Sequence, residues 1–247
     1  STRRSHCTSY IVMLGLGSSL ATSGVTSGFS LDNISGLVLW LKNDTGVTAA
    51  QWDDSSGQDN HVVQATSGHR GTVEDGGIAF PGSKNMDLTT KITLGSFTVF
   101  MSIEPDSHNS MSLIGDNNGS DFIRINQSAG NEFRHKRAVN SISMDISHST
   151  DFSFEGNGGV ERFIMMMRQE DDDTIDFGVN ADIDSFSVAN STGSNMDFEH
   201  IASQVGSTMG NSFVGTIYEV AIYDSNLSAA DATLVREDMA SRTGITL

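Results

Sequence analysis

From Leu31 onward, short apolar runs are separated by clusters of Gly, Asn, Asp and Ser, almost to the C-terminus. "SFTVFMSIEP" alternates as a strand does: Phe97, Val99, Met101 and Ile103 share one face, Thr98 and Ser102 the other, and Phe100 breaks the rule. "GLVLWL" (36–41) is a solid apolar run, as in a strand buried on both faces. "HVVQAT", "GIAFPG", "SLIGD", "DFIRINQ", "NEFRHKRAV", "SISMDIS", "DFEHIASQV" and "SFVGTIYEVAIYD" read as further strands. "VERFIMMMRQ" is predicted to pair with "TIDFGVNAD" across the loop 170–173. Pro81 and Pro105 stand at strand ends, where a missing N–H costs little. One segment has helical period instead. "NLSAADATLVREDMASRTGI" places Ser228 as N-cap with Asp231 three residues on, puts Ala232, Val235 and Met239 on one stripe, and offers Gly244 as a left-handed stop. The pattern predicts an all-β, two-sheet antiparallel jelly-roll sandwich with one C-terminal helix near 227–242.

Residues 1–33 follow a different rule and are expected to form an extended arm before a domain over 34–247. Ser5 to Leu31 contains no Asp, Glu, Lys or Arg. Arg3 and Arg4 ahead of the apolar Tyr10–Leu20 stretch imitate a secretory signal, but Gly15 and Gly17 interrupt the apolar run. A membrane span needs ~20 mostly apolar residues and is excluded on the same ground. The expected role of the arm is to dock on a partner. Tyr10, Ile11, Val12, Leu14, Leu16 and Leu20 would bury an apolar patch, and Arg3 and Arg4 would meet acidic groups.

The charge balance, 14 Lys+Arg against 31 Asp+Glu for a net of −17, argues against nucleic acid and anionic membrane as partners. A lone cysteine, Cys7, rules out an internal disulfide and suits folding in a reducing cytoplasm.

Four stretches, "LVLWLKNDTGV" (37–47), "QWDDSSGQDNHVVQ" (51–64), "IAFPGSKNMDL" (78–88) and "FVGTIYEVAIYDSNLSAAD" (213–231), resemble in order and spacing the laminin-G-like, concanavalin A-like jelly-roll domains. The start "STRRSHCTSYIVMLGLGSSL" followed by such a domain resembles virion structural proteins of tailed bacteriophages, particularly of marine cyanobacteria. That resemblance implies a non-enzymatic decoration protein of the particle, assembled in the host cytoplasm. It would dock on other virion proteins through the arm and display a lectin-like domain outward for adhesion to host-surface glycan. The alternative is a secreted carbohydrate-binding lectin module that uses calcium.

Trp40 and Trp52 have two readings, core or sugar-stacking platform. Asp54, Ser56, Gly57 and Asn60 read as a tight turn, with His61 opening the next strand. Glycoside hydrolases of jelly-roll fold carry Glu and Asp at alternating positions on one strand; no Glu-x-Asp-x-Glu or Glu-x-Asp-x-x-Glu occurs here, and Asp182 and Asp184 alternate without a Glu, so no catalytic residue is expected. No cofactor is called for. Two acidic loops supply oxygen donors for calcium: "GDNNGSDF", with Asp116, Asn118, Ser120 and Asp121, and "QEDDDTID" (169–176). "RHKR" gathers Arg134, Lys136 and Arg137 around a histidine and is a candidate docking patch for an acidic neighbour.

Overall fold

Two eight-stranded sheets stack face to face among the described residues. Those residues, in a computed structural model, are 28–106, 110–125, 132–137, 142–147, 162–169, 174–187, 195–206 and 211–247. The proposed arm up to residue 27, with Arg3, Arg4, Tyr10, Ile11, Val12, Leu14, Leu16 and Leu20, lies outside them.

The first sheet runs β14 (Asp182–Ser187), β13 (Thr174–Val179), β12 (Phe163–Gln169), β7 (Phe97–Pro105), β16 (Val214–Tyr223), β5 (Gly77–Pro81), β4 (Thr72–Glu74), with β1 (Leu37–Leu41) also on β16. The second runs β11 (Ile142–Ser147), β10 (Glu132–Arg137), β9 (Phe122–Ile125), β8 (Met111–Gly115), β15 (Met196–Ile201), β6 (Met86–Leu94), β3 (Val62–Val63), β2 (Gln51–Trp52). The ladders are antiparallel, as the short turn-rich connections require. The expected sandwich is therefore the observed fold.

The alternation in β7 is what it promised. Phe97, Val99, Met101 and Ile103 enter the core between the sheets, with Trp52, Phe133, Phe177 and Phe198. Phe100 turns the other way, into a second apolar cluster with Trp40, Ile164, Met166, Tyr223, Val235 and Met239. That cluster lies beneath helix α1 (Ala229–Thr243), so the first sheet is buried on both faces. Hence the unbroken apolar runs of β1 and β12. Trp40 and Trp52 are 3% and 1% exposed, so neither is a sugar platform.

Helix α1 starts and stops by local chemistry. Asp231 donates its backbone N–H to Ser228 Oγ at 3.1 Å, and Gly244 ends the helix at φ 71°. A charged clamp then holds it. Glu219, wholly buried on β16, accepts from Trp40 Nε1 at 2.7 Å and from Arg242 Nη2 at 2.7 Å, while Arg242 Nη1 donates to Asp238. Burial raises the Glu219 carboxyl above its ordinary value, and the bonds from Arg242 and Trp40 oppose that rise.

Strand geometry splits the basic run "RHKR". Successive side chains on β10 point to opposite faces. Arg134 and Lys136 stay partly exposed, whereas His135 and Arg137 turn inward and are 3% and 4% exposed. Arg137 Nη2 donates to the Gly95 carbonyl at 2.7 Å. Arg137 therefore cannot belong to a surface docking patch, a correction that follows from the period of two. His135 sits edge-on to Phe97, with Gln169 and the Phe122 backbone nearby but outside hydrogen-bond geometry. Burial, then the neighbouring Arg137 charge, push its imidazole down to about 3.

Candidate functional site

With α1 over the first sheet, no helix covers the outer face of the second sheet among the described residues. Its strands β6 and β15 send Met86, Ile92, Met196 and Phe198 into the core. Their outward positions are polar: Asp197 accepts from Lys91 Nζ at 2.8 Å and from Thr93 Oγ1 at 2.6 Å.

The ladder between these strands is broken at one place. Phe198 pairs with Ile92, yet His200, two residues on, pairs with Asp87, five residues back. The extra length of β6 bulges outward, with Thr89, Thr90 and Lys91 exposed. The slip also changes the face on which His200 falls. Glu199 faces outward, and His200 meets Asp87 and Asn117 instead of entering the core. The result is a groove of about 470 Å³ between Gln64, Asn85 and Asp87 on one side and Asn117, Glu199 and His200 on the other.

The floor of this groove is one hydrogen-bonded chain. The Thr66 backbone N–H donates to Gln64 Oε1 at 3.0 Å, and Gln64 Nε2 donates to Asn85 Oδ1 at 3.0 Å. Asn85 Nδ2 donates to Asp87 Oδ1 at 2.5 Å. His200 Nδ1 meets the same oxygen at 2.8 Å, and its Nε2 meets Asn117 Oδ1 at 3.0 Å. Asn117 then donates to Glu199 twice, Nδ2 to Oε1 at 2.5 Å and the backbone N to Oε2 at 2.9 Å. The carboxylate of Glu199 thus fixes the Asn117 amide with its oxygen toward the ring. Gly206 closes over this ring. A Cβ at that position would lie 2.4 Å from His200 Cε1, so any larger residue there would displace the ring. Gln64 and His200 are buried, while the Asp87 side chain is 44% exposed toward the opening. Such a chain holds polar groups in place before a ligand arrives.

A second cleft, of about 480 Å³, lies among Asp44, Thr48, Gln51, Asp53 and Val73. There Gln51 Nε2 donates to Asp53 Oδ1 at 2.6 Å, and no chain of comparable length follows among the described residues.

The structure puts the residues singled out from sequence elsewhere. Arg134 and Lys136 stand on the outer face of the second sheet at β10, away from the groove lining. In the first acidic loop, Asp116 Oδ1 accepts the Ser120 N–H at 2.8 Å and Asp121 Oδ2 accepts the Asp197 N–H at 2.8 Å. Both carboxylates are buried and serve the turn and its seam with β15. In the second, Asp176 pairs with Arg168 and accepts from Ser185 Oγ at 2.5 Å; residues 170–173 lie outside the described set. Among the described residues no three His, Cys, Asp or Glu side chains converge as a metal would need. Asp54 does form the expected turn, accepting the N–H groups of Trp40, Ser56 and Asn60 at 2.8–2.9 Å. Sequence reasoning missed all six groove residues. Gln64, Asn85 and Asp87 lay inside the quoted stretches, but nothing local marks them as neighbours of Asn117, Glu199 and His200.

No protein-family model and no curated protein matches the chain. Solved structures do. The botulinum neurotoxin serotype D ligand-binding domain, in complex with N-acetylneuraminic acid, superposes with TM-score 0.57 at 16% identity over 84% of this chain and 51% of that one. Domain 4 of AbnA, an extracellular arabinanase from Geobacillus stearothermophilus, in complex with arabinotriose, gives 0.57 at 15% identity over 83% of this chain and 98% of that domain. Trypanosoma rangeli sialidase gives 0.58 at 10% identity over 85% and 34%. The chain thus spans about half the length of the neurotoxin chain and the whole of the arabinanase domain. At such identities the likeness establishes the fold, a two-sheet jelly-roll sandwich.

Proposed function

We propose that this protein is a glycan-binding module, and that the groove across β6 and β15 is where the glycan sits. The observation that carries the reading is the continuous chain from Thr66 to Glu199, which fixes amide, imidazole and carboxylate groups along the floor of an open cleft. Sugar hydroxyls both donate and accept, and a floor of immobilised polar partners recognises them without ordering costs at the moment of binding. The complexes of two neighbours of the same fold, one with N-acetylneuraminic acid and one with arabinotriose, support it. The module is read as binding without turnover, since neither Glu-x-Asp-x-Glu nor Glu-x-Asp-x-x-Glu, the strand motifs of jelly-roll glycoside hydrolases, occurs in the sequence.

Titration calorimetry on hits from a glycan array tests this. His200→Ala is expected to weaken binding about tenfold or more, equivalent to roughly 1.4 kcal/mol. A chain that binds no glycan, or a His200→Ala variant with unchanged affinity, refutes the assignment.

A finer reading adds the setting. The module is displayed on the surface of a tailed-phage particle and is made in the host cytoplasm; it docks through residues 1–27 and not the full 1–33 expected from sequence, because Phe29 and Leu31 pack into the second core of the domain itself. Its support is the resemblance of the N-terminal sequence and domain order to virion proteins and the uncharged span from Ser5 to Leu31. Deleting residues 1–27 should leave a folded domain that no longer enters particles; incorporation at wild-type occupancy would exclude the arm as the anchor.

A further inference from the structure

We infer that the groove takes an uncharged, hydroxyl-rich glycan and discriminates against sialylated, uronic-acid and sulfated ones, an inference that rests on the glycan-binding reading above. It follows from the carboxylates that the floor presents, Asp87 and Glu199. On one side Gln64 donates to Asn85, and Asn85 donates to Asp87. On the other, Asn117 donates twice to Glu199. His200 lies between, its Nδ1 on the Asp87 carboxylate. Asp87 and Glu199 receive these donations and are the carboxylates of the chain, while Asn85 Nδ2 and Asn117 Nδ2 each keep a second hydrogen. A ligand therefore meets amide donors together with two negative charges. Asp87 Oδ1 takes the bonds from Asn85 and His200, so among the described residues Oδ2 takes none, and this side chain is 44% exposed.

A sugar hydroxyl donates to such an oxygen. A ligand carboxylate or sulfate has no hydrogen to donate and meets like charge instead. The lysine beside the groove does not reverse this: Lys91 Nζ lies 2.8 Å from Asp197 Oδ2 and faces that carboxylate. The net charge of −17 adds a background of the same sign. The neuraminic acid bound to the neurotoxin domain is therefore not the expected ligand class here, although the fold is shared.

The experiment uses matched pairs on an array and in calorimetry: galactose-, mannose- and arabinose-terminated oligosaccharides beside sialylated or sulfated versions of the same cores. The neutral member should bind about tenfold or more tightly at low salt. The ratio should shrink on raising salt from about 0.01 M to about 1 M, because screening weakens charge repulsion at an open groove. In Asp87→Asn, which replaces an anion by a neutral amide, the ratio should narrow whatever happens to absolute affinity. Acidic members bound as tightly as their parents, or a ratio indifferent to salt, overturns the inference while leaving glycan binding intact. Binding of neither class overturns the glycan reading and this inference with it.

Discussion

Acidification should destabilise this protein through His135. The ring is sealed between the sheets beside Phe97 and Arg137, and its value falls to about 3. In the unfolded chain it titrates near the ordinary 6.5. Between these values the unfolded state binds a proton that the native state refuses. Stability therefore rises with pH across that window and is lost as pH falls from about 6.5 toward 3. At about 1.4 kcal/mol per pH unit, the full window corresponds to roughly 5 kcal/mol, and the step down to pH 5 to roughly 2 kcal/mol. A domain is stable by ~5–15 kcal/mol, so the effect is large. Carboxylates also titrate in acid, so the measurement is a comparison. Urea unfolding is followed by the fluorescence of Trp40 and Trp52, both buried, at pH 7, 6, 5 and 4.5, for wild type and His135→Asn. The substitution has a constant packing cost that drops out of the slope. The wild type should lose about 1.4 kcal/mol more per pH unit than the variant below pH 6. Parallel pH dependences would show that the ring accepts its proton inside the fold, and would refute the reasoning.

Two further outcomes follow from the same structure. Arg242→Ala leaves Glu219 charged, buried and without its cation, so chemical denaturation should show a loss of about 3–5 kcal/mol; Glu219→Gln combined with Arg242→Met should recover most of it. Gly206→Ala forces a Cβ to 2.4 Å from the His200 ring, so calorimetry should show glycan affinity falling about tenfold or more while the melting temperature moves by only a few degrees.

Much of the scaffold is local and was therefore legible. Period two in β7 assigned Phe97, Val99, Met101 and Ile103 to the core, and the Ser228–Asp231 cap with Gly244 bounded α1 to within two residues. These are decided by neighbours in the chain, through strand alternation and capping, before any tertiary contact forms. Even Phe100, the exception to the β7 pattern, was visible as an exception. Its meaning was not, because only the docking of a helix from residue 229 onward makes the far face of that strand a second core.

The groove is of the opposite kind. "DFEHI" reads as an alternating strand that puts His200 with Phe198 on the core side. The slip against β6 overturns that, and a slip is a property of two strands about 100 residues apart. Likewise "RHKR" is one basic run in sequence but two surfaces in space, since inward burial of His135 and Arg137 depends on the opposing sheet. Charge and residue type are carried by the chain; which carboxylate faces a ligand, and which imidazole is sealed from water, are set when distant strands choose their register.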